Sequence, residues 1–152
     1  MSRQPAAGGA ATAIASSLYG LATGAVRRLP RDMSITSAAT LATLHRTGPR
    51  RITDLARSEG VTQPAMTVLV RVMEKSGLVE RRGDESDKRV TLVFLTEAGA
   101  SYVQTRRQAG VDAFEQLIDE LADVEVEALV AALPALSHLA ELESPDREGP
   151  KR

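Results

Sequence analysis

A short run of side chains in the middle of this 152-residue chain has the chemistry needed to read the edges of DNA bases. Arg71 can fork onto guanine and Gln63 can pair with adenine, whereas apolar atoms can touch the methyl group of thymine. Helical spacing puts these two on one side of a helix together with Pro64, Thr67 and Val68. These five residues, termed the reading face, predict a contact in the DNA major groove, with an ordinary solvated helix surface as the alternative.

The helix that presents the reading face is defined by an apolar stripe on its other side. Its members follow the i, i+3, i+4, i+7 spacing of a helix face: Met66, Leu69, Val70 and Met73. Thr62 is expected to cap this helix, and Gly77 to end it. Pro64 fits the first turn, because its missing N–H would have no partner there. The Thr62 hydroxyl and the first backbone N–H groups could bind a phosphate.

A shorter helix is expected just before this one. Thr53 is predicted to cap a helix over residues 54–58, and Gly60 to end it. Ala56 is small where two helices would cross, whereas Glu59 departs from the pattern, since an apolar residue is common before such a glycine. Two helices joined by a glycine-containing turn predict a helix-turn-helix.

Two extended runs follow, over residues 78–82 and 89–95, and a polar turn over residues 83–88 separates them. This pattern predicts a β-hairpin. In the second run Val90, Leu92 and Phe94 share one face. A helix-turn-helix followed by a hairpin is a winged helix-turn-helix, so the fold is predicted to be mainly α (α+β), with this core at residues 34–95.

Helical apolar stripes flank the core on both sides. Residues 10–33 contain one such helix, stopped by Pro30. Residues 96–143 contain two, of which the first is expected to be capped by Thr96 and the second to start at Asp123. Pro134 is expected to kink the last helix. Residues 1–9 and 144–152 are predicted to be a flexible arm and a flexible tail. A small winged core does not need these stripes, so they pack either within one chain or against a second one.

The net charge of −1 hides an uneven distribution. Residues 27–90 carry 13 Lys and Arg against 8 Asp and Glu, whereas residues 91–152 carry 5 against 12. A basic middle suggests a polyanionic partner, with chance patterning as the alternative. The side chains predicted to contact phosphates are Arg51, Thr53, Arg81, Arg82 and Lys88.

The sequence lacks the residue types and motifs that several classes of function require. The chain has no cysteine and two histidines, which excludes a disulfide scaffold, a thiolate zinc site and a cysteine nucleophile. No nucleophile, base and orienting group come together, and no glycine-rich phosphate loop occurs. We expect no enzyme activity, cofactor or metal. Residues 10–26 lack the basic start of a signal peptide and are expected to fall short of a membrane span, which favours a cytoplasmic protein without a membrane partner.

Residues 34–104 resemble the MarR family of bacterial transcriptional regulators. The stretches that carry the resemblance are ITDLARSEGVTQPAMTVLVRVMEKSGLVERR and GDESDKRVTLVFLTEAG. The second is the more specific, since Asp87-Lys88-Arg89 and Leu95-Thr96-Glu97-Ala98-Gly99 match the family's wing signature. The resemblance implies that Arg89 enters the minor groove while Asp87 orients it, a surface ion pair being the alternative.

The resemblance also implies assembly and regulation. The helices of residues 10–33 and 96–143 would form a dimerisation region, so that two chains bind a pseudo-palindromic operator on double-stranded DNA. A homodimeric repressor would release this DNA when a small aromatic molecule binds. Tyr19, His45 and Tyr102 are the candidate contacts for that effector. The alternative function is a winged-helix module that binds protein without specific DNA binding.

Overall fold

The computed structural model describes residues 6–28, 32–83 and 90–143. Within these ranges the chain forms six helices: α1 (Ala6–Arg28), α2 (Ile35–Thr47), α3 (Ile52–Ser58), α4 (Gln63–Lys75), α5 (Glu97–Ile118) and α6 (Asp123–Glu143). The same ranges contain three short strands: β1 (Arg50–Arg51), β2 (Val79–Gly83) and β3 (Thr91–Leu95). The prediction of a mainly helical protein with a small β component is therefore confirmed.

The strands form one antiparallel sheet in the order β1-β3-β2. The predicted hairpin is present as β2 and β3, which start at residues 79 and 91. The sequence does not predict β1, in which Arg50 pairs with Val93. Two consecutive arginines have no apolar alternation, so only the partner strand defines them as a strand. The hairpin's connecting residues 84–89 lie outside the described residues.

The hydrophobic core lies where α2, α3 and α4 meet the sheet. Its fully buried apolar side chains are Leu41, Leu44, Leu55, Met66, Val70, Met73, Val79 and Val93. Three of the four apolar residues expected on α4 are among them, and Leu69 is partly buried against the same cluster. In β3 the residue buried in the core is Val93, whereas its neighbours Leu92 and Phe94 are only half-buried.

Two of the three expected side-chain helix caps are present. Thr62 caps α4, with its hydroxyl oxygen accepting from the Ala65 N–H at 3.4 Å, and Thr96 caps α5. The prediction that Thr53 caps α3 is wrong, because α3 begins at Ile52 with Arg51 in the cap position and no side-chain cap bond. The chain enters α3 directly from β1, and pairing with β3 sets that entry instead of a side chain.

The turn between α3 and α4 explains the unusual Glu59. Gly60 follows it with φ of +64°, the left-handed conformation that glycine adopts without strain. The Glu59 carboxylate accepts a hydrogen bond from the Thr43 hydroxyl of α2 at 2.9 Å. A polar residue is therefore satisfied at a position where an apolar one is common, and the turn is tied to α2.

The first flanking helix, α1, is longer at its start than the sequence indicates. α1 begins at Ala6 rather than near residue 10, so it includes Gly8 and Gly9. α6 begins at Asp123 as predicted and continues as a helix through Pro134, whose expected kink stays a prediction. Apolar side chains of α1 and α6 remain exposed in the single chain, including Ile14 at 56% and Leu133 at 54%.

One described helix is long and apolar enough, by length and composition alone, to cross a membrane. It runs from Gly8 to Arg28, and its most apolar window has a mean hydropathy of 1.2. The expectation that this segment falls short of a membrane span is therefore wrong on that criterion. Core helices of soluble proteins and signal sequences share this length and composition, so the property alone does not assign a membrane span.

Candidate nucleic-acid interface

The structure brings the whole reading face together on the outer side of α4. Gln63, Pro64 and Arg71 are exposed, Val68 is 58% exposed and Thr67 is half-buried. The Thr67 hydroxyl donates to the backbone carbonyl of Gln63 at 2.9 Å, which leaves its methyl group as the apolar contact. The guanidinium of Arg71, the amide of Gln63 and the apolar groups therefore lie on the same exposed side of α4, as direct readout of bases requires.

The opposite side of α4 fixes the orientation of this face. Met66, Val70 and Met73 are fully buried, and the Met66 sulfur lies 3.9 Å from the buried Thr40 hydroxyl of α2. Rotation of α4 would expose these three side chains to water, at a cost of about 1.5–3 kcal/mol each. The core thus holds the reading face outward.

The start of α4 has the features of a phosphate site. Thr62 is exposed and caps the helix, and Pro64 lies in the first turn. The first N–H groups of a helix lack intrahelical partners and carry the positive end of its dipole. Thr53 and Arg51, also predicted to contact phosphates, are exposed at the start of α3.

A compact junction connects α4 to the wing. Gly77 turns the chain with φ of +72°, and the Leu78 N–H donates to the Met73 carbonyl at 3.0 Å. Thr96 closes the junction from the other side, because its hydroxyl donates to the Gly77 carbonyl at 2.7 Å. Its N–H also donates to the Leu78 carbonyl at 3.1 Å. The end of β3 is therefore tied to the end of α4.

Gly99 completes this junction by its lack of a side chain. A Cβ at this buried position would lie 2.1 Å from the Leu78 carbonyl oxygen and 2.7 Å from Leu95 Cδ1. The backbone at Leu78, just before β2, can approach α5 only because that atom is missing. The Leu-Thr-x-x-Gly stretch noted in the sequence is thus a structural clamp that holds the base of the wing.

Replacement of Gly99 by alanine is expected to lower the free energy of unfolding by about 1–3 kcal/mol, because the added methyl group pushes α5 away from the Leu78 carbonyl. Urea unfolding followed by circular dichroism measures this change. Gly83→Ala is the matched control, since nothing lies within 4 Å of its added Cβ. We expect that control to stay within about 0.5 kcal/mol of the unmodified protein. Equal changes in the free energy of unfolding of the two variants would contradict the role of Gly99 in holding the base of the wing.

The two arginines of β2 lie on opposite faces and have different partners. Arg81 forks onto Glu74 of α4, with Nη2 at 2.6 Å from Oε2 and Nε at 3.2 Å from Oε1. Hydrogen bonds from Arg81 lower the pKa of Glu74, and the same bonds raise that of Arg81. Arg82 pairs with Glu80, and its guanidinium carbon lies 5.2 Å from the centre of the Phe94 ring.

The wing signature itself lies outside the described residues. Asp87, Lys88 and Arg89 belong to residues 84–89, between the ends of β2 and β3. The orientation of Arg89 by Asp87 therefore stays a prediction. The described part of the wing ends at Gly83 on one strand and resumes at Val90 before the other.

A cleft of about 770 Å³ lies between α2 and α5, beside the end of α1. Of the three candidate effector contacts, only Tyr102 lines it. Tyr19 is 73% exposed on α1, and His45 is exposed near the end of α2. The structure therefore does not bring these three side chains together within one chain.

Asp32 and Arg106 join Tyr102 beside this cleft, and sequence analysis did not single them out. The Tyr102 hydroxyl donates to Asp32 Oδ2 at 2.8 Å, and Arg106 Nη1 donates to Asp32 Oδ1 at 2.9 Å. The hydrogen bond from Tyr102, helped by the charge of Arg106, lowers the pKa of Asp32. Burial, with the bond to Asp32, raises the pKa of Tyr102. The i, i+4 spacing of Tyr102 and Arg106 was the available signal.

Comparison with known proteins agrees with this geometry. A sequence model described as the MarR family matches residues 33–91. An uncharacterized HTH-type transcriptional regulator of Bacillus subtilis, YfiV, is 29% identical over 110 residues, which span 72% of this chain and 69% of YfiV.

Solved structures share the fold. A MarR family protein from Bacillus stearothermophilus has a TM-score of 0.67 at 18% identity, covering 93% of this chain and 99% of its own. A variant of Staphylococcus aureus MepR bound to an oligodeoxyribonucleotide has a TM-score of 0.63 at 23% identity, covering 88% and 97%. The chain is thus a winged helix-turn-helix protein. Residues 33–91 are similar to the MarR family, and the relative YfiV is described as an HTH-type transcriptional regulator.

Proposed function

We propose that this protein is a homodimeric repressor that binds a pseudo-palindromic operator through the reading face. The observation that carries the proposal is the exposure of Gln63, Val68 and Arg71 on a helix whose other side is buried in the core. A MepR variant of the same fold was solved with an oligodeoxyribonucleotide, which supports DNA as the partner. Such a repressor acts in the bacterial cytoplasm, where the DNA lies.

The flanking helices support a dimer. Apolar side chains are exposed along three helices of the single chain: Ile14, Leu21 and Val26 of α1, Phe114, Leu117 and Ile118 of α5, and Leu129, Val130 and Leu133 of α6. Large exposed apolar surfaces of soluble proteins mark interaction sites. A second copy would cover these residues and place the two α4 helices about one turn of DNA apart.

The distribution of charge fits the same arrangement. The acidic surplus of residues 91–152 lies mostly on α5 and α6, whereas β1 and β2 carry basic residues and contact α3 and α4, respectively. Phosphate contacts from Lys and Arg supply most sequence-independent affinity for DNA. An acidic dimerisation region remote from the duplex would not oppose that attraction, because salt screens charges beyond about 8–10 Å.

The cleft between α2 and α5 supports regulation by a small aromatic ligand. It is lined by apolar groups of α2, such as Ala38 and Ala42, and by the polar groups of Tyr102 and Arg106. An apolar space with a few polar groups is typical of small-molecule sites. The cleft lies between the proposed dimerisation helix α5 and α2, and α2 packs on α4. A ligand bound there can therefore shift α2 relative to α5 and change the angle between the two α4 helices of a dimer.

The proposal is tested by selecting fragments of the host's own genome that the purified protein binds. We expect a short sequence with two-fold symmetry, bound with a dissociation constant below about 1 μM at physiological salt. Absence of any enriched fragment, together with retention of a protein partner from the same host, would instead favour the protein-binding module.

Arg82 is proposed to contact a phosphate, so Arg82→Ala should weaken binding to all duplexes alike. The slope of log affinity against log salt should become shallower by about one unit for each wing in contact. Fluorescence anisotropy titrations at several salt concentrations measure the slope. Arg107→Ala on α5 is the control and should leave the slope unchanged. An unchanged slope for Arg82→Ala would remove Arg82 from the DNA contacts.

A further inference from the structure

We propose that Arg81 is a positioning residue for DNA binding: its fork on Glu74 fixes the angle of the wing relative to α4, and it does not bind a phosphate. The inference rests on the proposed function, since it concerns how a DNA-binding wing is held. It replaces the expectation from sequence that Arg81 contacts a phosphate.

The geometry of the pair is that of a two-point clamp. Arg81 Nε lies 3.0 Å from Glu74 Oε2, and Nη2 of the same guanidinium lies 2.6 Å from that oxygen. Nε also reaches Glu74 Oε1 at 3.2 Å. A planar guanidinium bound through two nitrogens defines a direction as well as a distance. Both side chains are about one-third exposed, at 34% and 33%.

The position of the Arg81–Glu74 pair in the sheet allows it to restrain the orientation of the wing. Arg81 is opposite Val93, the residue of β3 that also pairs with Arg50 of β1. The pairing of β1 ends one residue further on, at Leu92, and the hairpin then continues as two strands to Gly83 and Thr91. Arg81 therefore holds β2 one residue before the level at which β1 stops pairing with β3.

Arg82 differs from Arg81 in each of these respects and serves as an internal comparison. Its side chain is 60% exposed, and its partner Glu80 belongs to the same strand. That pair cannot fix the strand to another element. Adjacent residues of a strand point to opposite faces, so one arginine faces α4 and the other faces Phe94.

The direction in which Glu74→Gln changes DNA affinity distinguishes a positioning role of the pair from a purely electrostatic one. Glu74 is an acidic residue on the helix that presents the reading face. If only charge mattered, Glu74→Gln would strengthen DNA binding, because a carboxylate repels phosphates. Loss of the clamp should weaken binding instead, because the wing no longer starts in its binding orientation.

The experiment compares Glu74→Gln, Arg81→Lys and the double variant with unmodified protein, by anisotropy titrations of the selected operator at several salt concentrations. Lysine keeps the charge of Arg81 and loses the fork. Each single variant should lower affinity about fivefold, with the salt slope unchanged, and the double variant should be no weaker than either. Tighter binding by Glu74→Gln, unmodified affinity of Arg81→Lys, or additive losses would overturn the proposal.

A second readout needs no DNA. The chain has no cysteine, so spin labels can be placed at Val68→Cys on α4 and Gly83→Cys on β2. We expect the distribution of label distances to broaden in Arg81→Lys and to stay narrow in Arg82→Lys, with thermal unfolding confirming that both variants fold. Distance distributions of equal width in the two variants would overturn the proposal that the Arg81–Glu74 pair holds the wing. If unmodified protein bound no duplex, the proposed function would fail while the labels still tested the clamp.

Discussion

Leu133→Glu is expected to convert the protein to monomers and to abolish high-affinity operator binding. Leu133 is 54% exposed on α6 in the single chain and belongs to its apolar stripe. A carboxylate buried there by a partner would lose its hydration without gaining a counter-ion, a cost of several kcal/mol. Sedimentation equilibrium should show the dimer dissociation constant raised by at least about 100-fold, since each 1.4 kcal/mol is a factor of ten.

Gln116→Glu is the matched control for this dimer prediction. It adds one carboxylate at an exposed polar position of α5, where no apolar contact is lost. We expect the control to remain dimeric and to bind the operator. If Leu133→Glu also remained dimeric at micromolar concentration, the dimerisation surface would lie elsewhere or the flanking helices would have another role.

Arg71→Ala is expected to lower operator affinity and to relax the preference for one base pair in each half-site. Removal of a bidentate arginine contact to guanine costs about 1–3 kcal/mol. A symmetric dimer loses this contact twice, so the total loss is about 2–6 kcal/mol, or at least about 30-fold in affinity. Titrations against the operator and against duplexes substituted at each half-site position measure both effects.

Arg107→Ala is the control for Arg71, because it removes the same exposed side chain from α5 instead of α4. It should leave the base preference unchanged. If Arg71→Ala weakened all duplexes equally and reduced the salt slope, Arg71 would be a phosphate contact and the base-reading assignment would be wrong.

Periodic burial made α4 predictable from its sequence alone. Met66, Val70 and Met73 repeat at helical spacing, so the apolar side of the helix is determined and the reading face follows from it. Thr62 and Gly77 mark the ends of this helix through local chemistry that needs no distant partner. The resemblance of the wing to the MarR family added what periodicity could not indicate.

Features that depend on distant residues were missed. The strand β1 and the start of α3 are set by pairing with β3, some 40 residues away, so Thr53 could not be ruled out as a cap. The crowding of Gly99 against Leu78 is a tertiary contact. The pairs Arg81–Glu74 and Arg106–Asp32 likewise require the fold to bring two elements together.

The central claim is that two copies of the reading face recognise a symmetric DNA sequence. The direct measurement is the ratio of dissociation constants for the selected operator and for a shuffled duplex of the same length and composition, at physiological salt. The account predicts a ratio of at least about 1,000 and two chains bound per operator. A ratio near one, or a single chain per duplex, would contradict it.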